Sequence, residues 1–293
     1  MSLSDTIDLS RLPPPAVVEV LDYEAILAQR KARLLELLPA EQRMALATVL
    51  DLDSEPATIQ LQENSYRELV LRHRINQAAR SVMLATATGT DLDALVALLG
   101  VGRMQIAQDV FESDDDLRRR AQLSLEGTTS AGSRGSYQFH ALSAHPDVAD
   151  VYVDSPTPGE VRLYVLSRRG NGTPSAQVLQ AVYDSVSAED VRPLSDFVSV
   201  VGAELVSFDV AASLFVQTGP APSAVLENAR AALQAFLDRP RRIGASVAIS
   251  AIYSELHQPG VVRVDMTRPT TDIECAPHQA AYCRSIDLRA EVA

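Results

Sequence analysis

The first hundred residues carry two long segments with helical apolar periodicity, which constrain the fold more than any other feature. Apolar residues recur at helical spacing from Val17 to Leu38, just before Pro39, and again between Glu63 and Ala87. The stretch between them, Glu41–Leu61, is predicted to be a long connector, which disfavours a closed bundle within one chain. Because a one-sided apolar helix needs a surface to lie on, we expect burial against other chains. The residues predicted to contact partner chains are Val17, Val20, Leu21, Leu27, Leu34, Leu38, Leu71, Ile75 and Val82.

Composition is typical of a globular chain. Of the 293 residues, 46% are apolar and 22% are charged, and mean hydropathy is +0.01. No apolar run reaches the length of about eighteen residues that a membrane helix needs, so we predict no membrane span. The 26 basic and 38 acidic residues leave a net charge of −12, which disfavours direct binding of nucleic-acid phosphates. Lys31 is the single lysine and there are two cysteines, so few side chains are available as lysine or thiol nucleophiles. We therefore predict no enzyme activity.

The middle of the chain predicts a helix followed by a hinge. Ser113 precedes three aspartates at 114–116, which suits a helix start with a serine cap and acids at the positive end of the helix dipole. A divalent-metal site is the alternative, but the oxygen spacing of a calcium loop is missing. The small, polar loop that follows contains Gly127, Gly132 and Gly135, which we predict to be hinge residues at a domain boundary.

The second half predicts an α+β region built from one unit used twice. The helix start at 174–179 resembles that at 222–226, and the helix, proline and strand pattern at 139–153 resembles that at 252–266. We therefore expect two αβ lobes with small mixed sheets. The predicted organisation is a long-helix region over 1–112, a helix and hinge loop over 113–135, a duplicated αβ pairing domain over 136–268 and a C-terminal tail over 269–293.

Candidate chemical sites are weak. Cys275, His278 and Cys283 form one sparse group in the tail, for which two reduced thiols are favoured over metal ligands. The arginines at 118–120 and 239–242 are expected to pair with acids of a partner or of the same domain. No catalytic residue, cofactor site or metal site is predicted. The acidic start lacks the pattern of a secretion signal, so we expect synthesis in the cytoplasm.

Three stretches together resemble the baseplate J-like proteins of contractile-tailed phages and of phage-tail-like bacteriocins. The first is the opening at 7–31, with Ile7-Asp8-Leu9 and Leu21-Asp22-Tyr23. The second is the helix Thr90-Asp91-Leu92-Asp93 that leads to Leu98-Leu99-Gly100-Val101. The third runs from Asp116-Leu117-Arg118 through Ser130-Ala131-Gly132-Ser133 to Pro146-Asp147-Val148 and Pro158-Gly159. The resemblance covers about residues 7–267, and the tail lies outside it.

The resemblance implies a structural role. Members of this family form baseplate wedges, in which two copies join one tail protein I-like wedge protein through a helical bundle. Their C-terminal domains pair with neighbouring wedges around a central hub, so the expected partners also include the hub or spike and a small sheath-initiator-type protein. The implied location is the bacterial cytoplasm during assembly and then the baseplate. A free-standing adaptor and a hydrolase with a dispersed site are the alternatives. The sequence does not show whether the particle is a phage or a bacteriocin.

Overall fold

The computed structural model describes residues 7–13, 15–129, 132–217, 222–239 and 241–292. Pro14 of the proline run, Ser130 and Ala131 of the predicted hinge, and Pro240 lie outside the described residues. The chain forms two compact units, a helical unit over Asp8–Leu98 and an αβ unit over Leu99–Ala293. The α+β fold class, with a helical N-terminal region and small mixed sheets after it, is confirmed.

The helical unit begins its first long helix later than the periodicity predicts. Its described helices are α1 (Tyr23–Leu37), α2 (Ala40–Val49), α3 (Pro56–Ser81) and α4 (Gly89–Ala97). The Asp22 carboxylate accepts the backbone N–H of Glu24 at 2.9 Å, which starts α1 at Tyr23 and corrects the predicted start before Val17. The predicted connector is also wrong, because α2 and the beginning of α3 occupy most of it.

The interior of the helical unit is small. Helix α3 packs on α1, and the buried residues of α3 are polar or small: Thr58, Ser65 and Asn76. The described apolar residues that are buried in the unit are Ile26, Leu27, Leu50, Ala87, Leu92 and Val96. Polar contacts supplement this core. Glu68 of α3 binds Arg30 of α1 at 2.6 Å and Arg72 at 2.7 Å, and the hydrogen bond from Arg30 is the main reason that the pKa of Glu68 is lowered.

The αβ unit consists of an opening segment and two lobes. The opening segment contains the hairpin of β1 (Gln105–Ala107) and β2 (Val110–Phe111) and the helix α5 (Asp114–Leu123). The first lobe comprises α6 (Arg134–Ala144), β3 (Val148–Asp154), β4 (Glu160–Ser167), α7 (Ala176–Val186) and β5 (Phe197–Gly202). The second lobe comprises β6 (Glu204–Val216), α8 (Pro222–Leu237), α9 (Ile249–Leu256), β7 (Val261–Arg268) and β8 (Gln279–Val292).

The two lobes share one pattern of strand pairing, which agrees with the predicted αβ lobes with small mixed sheets, and duplication of one unit stays a prediction. In each described sheet the central strand, β4 or β6, pairs antiparallel with one neighbour and parallel with the other. Helix α6 packs on the antiparallel strand β3, as α9 packs on β7. The order along the chain differs, since the helix and antiparallel strand precede the central strand in the first lobe and follow it in the second. In the first lobe β5 follows α7, whereas in the second lobe α9 follows α8.

The assignment of residues 269–293 to a tail is corrected. Strand β8 pairs in parallel with β6 from Glu204↔Gln279 to Val216↔Val292. Leu288 is buried in the core of the second lobe, together with Val210, Leu214, Leu233 and Ile252. A further buried group, Leu166, Ala203 and Ala280, joins the two lobes. The last residues thus complete the second sheet.

Candidate interaction surfaces

Helix α3 exposes apolar residues on both flanks of its buried face. Leu71 is 65% exposed, Ile75 is 58% exposed, and Val82, which follows the helix, is 67% exposed. We call this set, with its apolar neighbours, the α3 surface: Ile59, Tyr66, Val70, Leu71, Ile75 and Val82. Its extent on one helix, in a unit with few buried apolar residues, is typical of a protein–protein contact.

The other predicted partner-contacting residues occupy different environments. Val17 and Val20 are exposed but precede α1, so they do not lie on a helix. Leu34 of α1 is half-buried, as are the flanking residues Leu21 and Leu38. Leu27 is 8% exposed and belongs to the interior of this chain, which makes it unavailable to a partner.

Strand β5 forms an open, uncharged edge of the first lobe. Phe197 donates its backbone N–H to Gly159 at 2.7 Å and Ala203 donates to Val165 at 2.8 Å, so the alternation along the strand turns the peptide groups of Val198 and Val200 outward. Phe197 is 78% exposed, and Leu194 in the preceding turn is 98% exposed. A strand edge of this kind is a template for pairing with another chain.

The turn that leads into β5 is held in place. The hydroxyl of Tyr137, a buried residue of α6, donates to Asp196 Oδ2 at 2.8 Å. Burial, followed by this hydrogen bond, raises the pKa of Tyr137, so the hydroxyl keeps its proton near neutral pH. This hydrogen bond therefore fixes the position of the residue just before the exposed strand β5.

A charged junction connects α5 with both lobes. The Asp116 carboxylate binds Arg168 of the first lobe at 2.6 Å and Arg242 of the second lobe at 2.9 Å. Asp150 on β3 binds Arg119 at 2.6 Å and accepts the backbone N–H of Ile243 at 2.8 Å. Arg168 and Arg242 lie 52 and 126 positions from Asp116, so no local sequence pattern predicts this junction.

The junction is tightly packed. Beside it, Glu112 and Arg120 form a buried ion pair at 2.6 Å. The enclosed space measures about 10 Å³, which holds no more than about one water molecule. The expectation that these arginines pair with acids of a partner or of the same domain is confirmed within the chain for Arg118, Arg119, Arg120, Arg239 and Arg242, whereas Arg241 bonds to backbone carbonyls.

The start of α5 confirms the helix-start interpretation of the aspartate run. Ser113 accepts the backbone N–H of Asp116 through its side chain at 3.2 Å, and the acids occupy the first turn. Within the described residues, no group of three His, Cys, Asp or Glu side chains is placed to hold a metal ion. Cys275 and Cys283 are free thiols, and burial raises the pKa of both.

The predicted hinge glycines lie in tight packing within the αβ unit. A Cβ atom on Gly127 would stand 2.2 Å from the Phe139 ring, and one on Gly132 would stand 2.6 Å from Pro193 Cγ. Gly135 is buried in the first turn of α6. Close packing explains glycine at 127, and at 132 a φ of +71°, which favours glycine, adds to the close packing. Movement about this loop stays a prediction.

None of the helices among the described residues combines the length and apolar character that crossing a bilayer demands. That observation concerns helices alone.

Three family models match the chain in order. They are the baseplate J-like N-terminal domain at residues 53–109, the baseplate J-like central domain at 129–202 and the baseplate J-like protein C-terminal domain at 208–289. Baseplate protein J of Escherichia phage P2 is 44% identical over 287 residues, which cover 94% of this chain and 95% of that protein. A chain in the cryo-EM structure of the anti-feeding prophage baseplate matches with a TM-score of 0.43 and 14% identity, over 59% of this chain and 42% of that chain.

Proposed function

This chain belongs to the baseplate J-like protein family, and we propose that it acts as a wedge protein in the baseplate of a contractile tail or phage-tail-like particle. Its role is structural, and its partners are other baseplate proteins. The observation that supports an assembly role in this molecule is the α3 surface. A helical unit that buries few apolar side chains and exposes many is stabilised when a partner covers that surface.

In the proposed wedge, two copies of the chain and one tail protein I-like protein share a helical bundle. The helical unit provides the α3 surface to that bundle, and the αβ unit pairs with a neighbouring wedge. The resulting ring surrounds the central hub or spike and meets the small sheath-initiator-type protein. Permanent interfaces of this kind bury about 2,000 Å² or more, for which several exposed apolar residues per copy are needed.

The proposed ring couples the state of the baseplate to sheath contraction. Residues 127–135 form the proposed hinge, and the close packing of Gly127 and Gly132 means that movement there would be a switch between two packed arrangements. Assembly takes place in the bacterial cytoplasm, before the particle is complete.

The stoichiometry tests this proposal. We expect coexpression with a tail protein I-like protein to give a complex whose native mass corresponds to two copies of this chain and one partner, because the bundle needs all three. Native mass spectrometry measures that mass directly, and the chain expressed alone is the control. A stable monomer that ignores the wedge partner would contradict the proposal and favour a free-standing adaptor.

Strand β5 offers a site for pairing between wedges. The other edge strands of the two three-stranded sheets, β3, β7 and β8, each carry at least two charged residues, whereas β5 carries none. Charged residues protect strand edges from association. Two copies of a chain with net charge −12 repel each other, so a contact is favoured where carboxylates are absent.

Lysine on this edge is expected to prevent pairing of αβ units. In the variant Phe197→Lys with Val201→Lys, two cations stand on the open edge while the bonds to β4 remain, so copies should fail to associate through it. Sedimentation equilibrium of the wedge complex measures this association. Val262→Lys, at a half-exposed position on β7, is the matched control. Unchanged association in the β5 variant would place the pairing surface elsewhere.

A further inference from the structure

A large open groove runs along the boundary of the two lobes and borders the charged junction at Arg168 and Arg242. It measures about 1170 Å³ and lies between α8, the segment at 238–247, the middle of β8 and the end of β4. Typical small-molecule sites measure roughly 300–1,000 Å³. The groove therefore has room for a short segment of polypeptide.

The wall of the groove is rich in arginine, although the whole chain is acidic. The lining contains two carboxylates, Glu227 and Asp238, against six arginines. The arginines come from both lobes: Arg168, Arg230, Arg239, Arg241, Arg242 and Arg284. The chain has a net charge of −12, but cations are in excess in this groove. The electrostatic potential there is therefore opposite in sign to that of the chain as a whole.

Two of these arginines bind carbonyl oxygens. Arg230 donates to the Ile286 carbonyl at 3.2 Å, and Arg241 donates to the carbonyls of Asn171 at 2.6 Å and Gly170 at 3.2 Å. Among the described residues, no carboxylate forms an ion pair with either one. A guanidinium bound to neutral acceptors keeps its affinity for carboxylate, which it binds through strong charge-assisted hydrogen bonds.

The remaining arginines leave the positive excess in place. Arg168 and Arg242 share the one carboxylate of Asp116, Arg239 pairs with Glu255 at 3.2 Å, and Arg284 pairs with Asp209 at 2.6 Å. The Arg284 side chain is 59% exposed in this pair, so solvent weakens the pair. The lining also contains apolar residues, namely Phe208, Leu237, Val247 and Ile286. Apolar area beside cations suits a ligand that carries both carboxylates and apolar side chains.

From this charge complementarity we infer that the groove binds an acidic peptide segment, with interspersed apolar residues, of a partner protein. The proposal goes beyond the wedge function and does not depend on it. Nucleic acid is the other anionic polymer to consider. The observations favour the peptide, because an extended phosphate backbone would reach beyond the groove over a chain of net charge −12, and the apolar lining gives a peptide side chain a place to pack.

The test measures binding of a fluorescein-labelled peptide of Glu-Asp-Leu repeats to the full-length chain by fluorescence anisotropy. We expect saturable binding that weakens as salt rises from about 0.05 to 0.5 M. The neutral analogue of Gln-Asn-Leu repeats should bind at least about tenfold more weakly, because it cannot form charge-assisted bonds. Arg230→Gln with Arg241→Gln should weaken binding of the acidic peptide by at least about tenfold.

Arg289→Gln is the matched control, since Arg289 lies on β8, outside the groove lining, with a 75% exposed side chain. It should leave binding within about twofold, which is small against the tenfold that one charged hydrogen bond supplies. If the double variant fails to fold, Arg230→Gln alone answers the question, because Arg230 is exposed and bonds to one carbonyl. Absent binding, equal binding of the neutral peptide, an unaffected Arg230 variant or tighter binding of single-stranded DNA would each overturn the inference.

Discussion

Replacement of Leu71, Ile75 and Val82 by glutamate is expected to leave the chain folded and to abolish its entry into the wedge complex. The three side chains are exposed in the single chain, so their replacement removes little from its own core. In the proposed bundle each would be buried, and burial of such a side chain contributes about 1.5–3 kcal/mol. Loss of three, with desolvation of three carboxylates in addition, should weaken association by a factor of at least about a thousand.

Co-purification with a tail protein I-like protein measures this effect, and circular dichroism checks the fold. Glutamate keeps helix propensity high, so loss of α3 itself is not expected. Val262→Glu, an equivalent change on an exposed residue of the αβ unit, is the control and should co-purify normally. Retention of the triple variant in the complex at wild-type level would remove the α3 surface from the proposed bundle.

The α3 surface is a better target than residues chosen from periodicity alone. The pattern places Leu21, Leu27 and Leu34 on one helical face, but α1 begins after Leu21, and Leu27 contributes to the small core of its own unit. Aspartate at Leu27 would destabilise the chain itself, so lost binding would have two causes. Exposure in the folded chain separates these causes for Leu71, Ile75 and Val82.

Local signals predicted the elements of the fold well. Ser113 and Pro222 mark the starts of α5 and α8, because a side-chain cap and a fixed φ act within one helical turn. The start of α1 was missed because Asp22 caps a helix inside a continuous apolar pattern. Periodicity records which residues are apolar, and the cap decides where the helix begins.

Long-range arrangements were beyond sequence reasoning. Strand β8 finds its parallel partner β6 more than seventy residues away, across two helices and β7, and no short-range pattern encodes that pairing. The junction at Asp116 likewise depends on arginines from both lobes. The family resemblance indicated what kind of assembly to expect, whereas the edge of β5 and the arginine groove emerged from exposure and charge in the folded chain.

Substitution of Asp116 by asparagine is expected to lower the free energy of unfolding of the αβ unit by about 2–3 kcal/mol. Loss of one partner from a buried ion pair costs about 3–5 kcal/mol, and the partial exposure of Arg168 and Arg242 reduces that figure. Asparagine keeps the shape but leaves both guanidinium groups without their carboxylate. Asp115→Asn is the matched control. Its side chain is 82% exposed, so a change below about 0.5 kcal/mol is expected.

The pH dependence of this difference identifies the ionised carboxylate as its cause. Burial by itself would raise the pKa of Asp116, but the opposing charges and hydrogen bonds of Arg168 and Arg242 outweigh it, so the pKa is lowered from its ordinary value of 3.8. A carboxyl whose pKa is lower in the folded state stabilises that state fully above its unfolded pKa, and this stabilisation is lost as pH falls through the folded value. Urea denaturation followed by circular dichroism should therefore show a constant gap between wild type and Asp116→Asn from neutral pH to about pH 5, which narrows below about pH 4. A gap that persists at the lowest pH where both proteins fold would assign the effect to packing of the side chain instead of its charge.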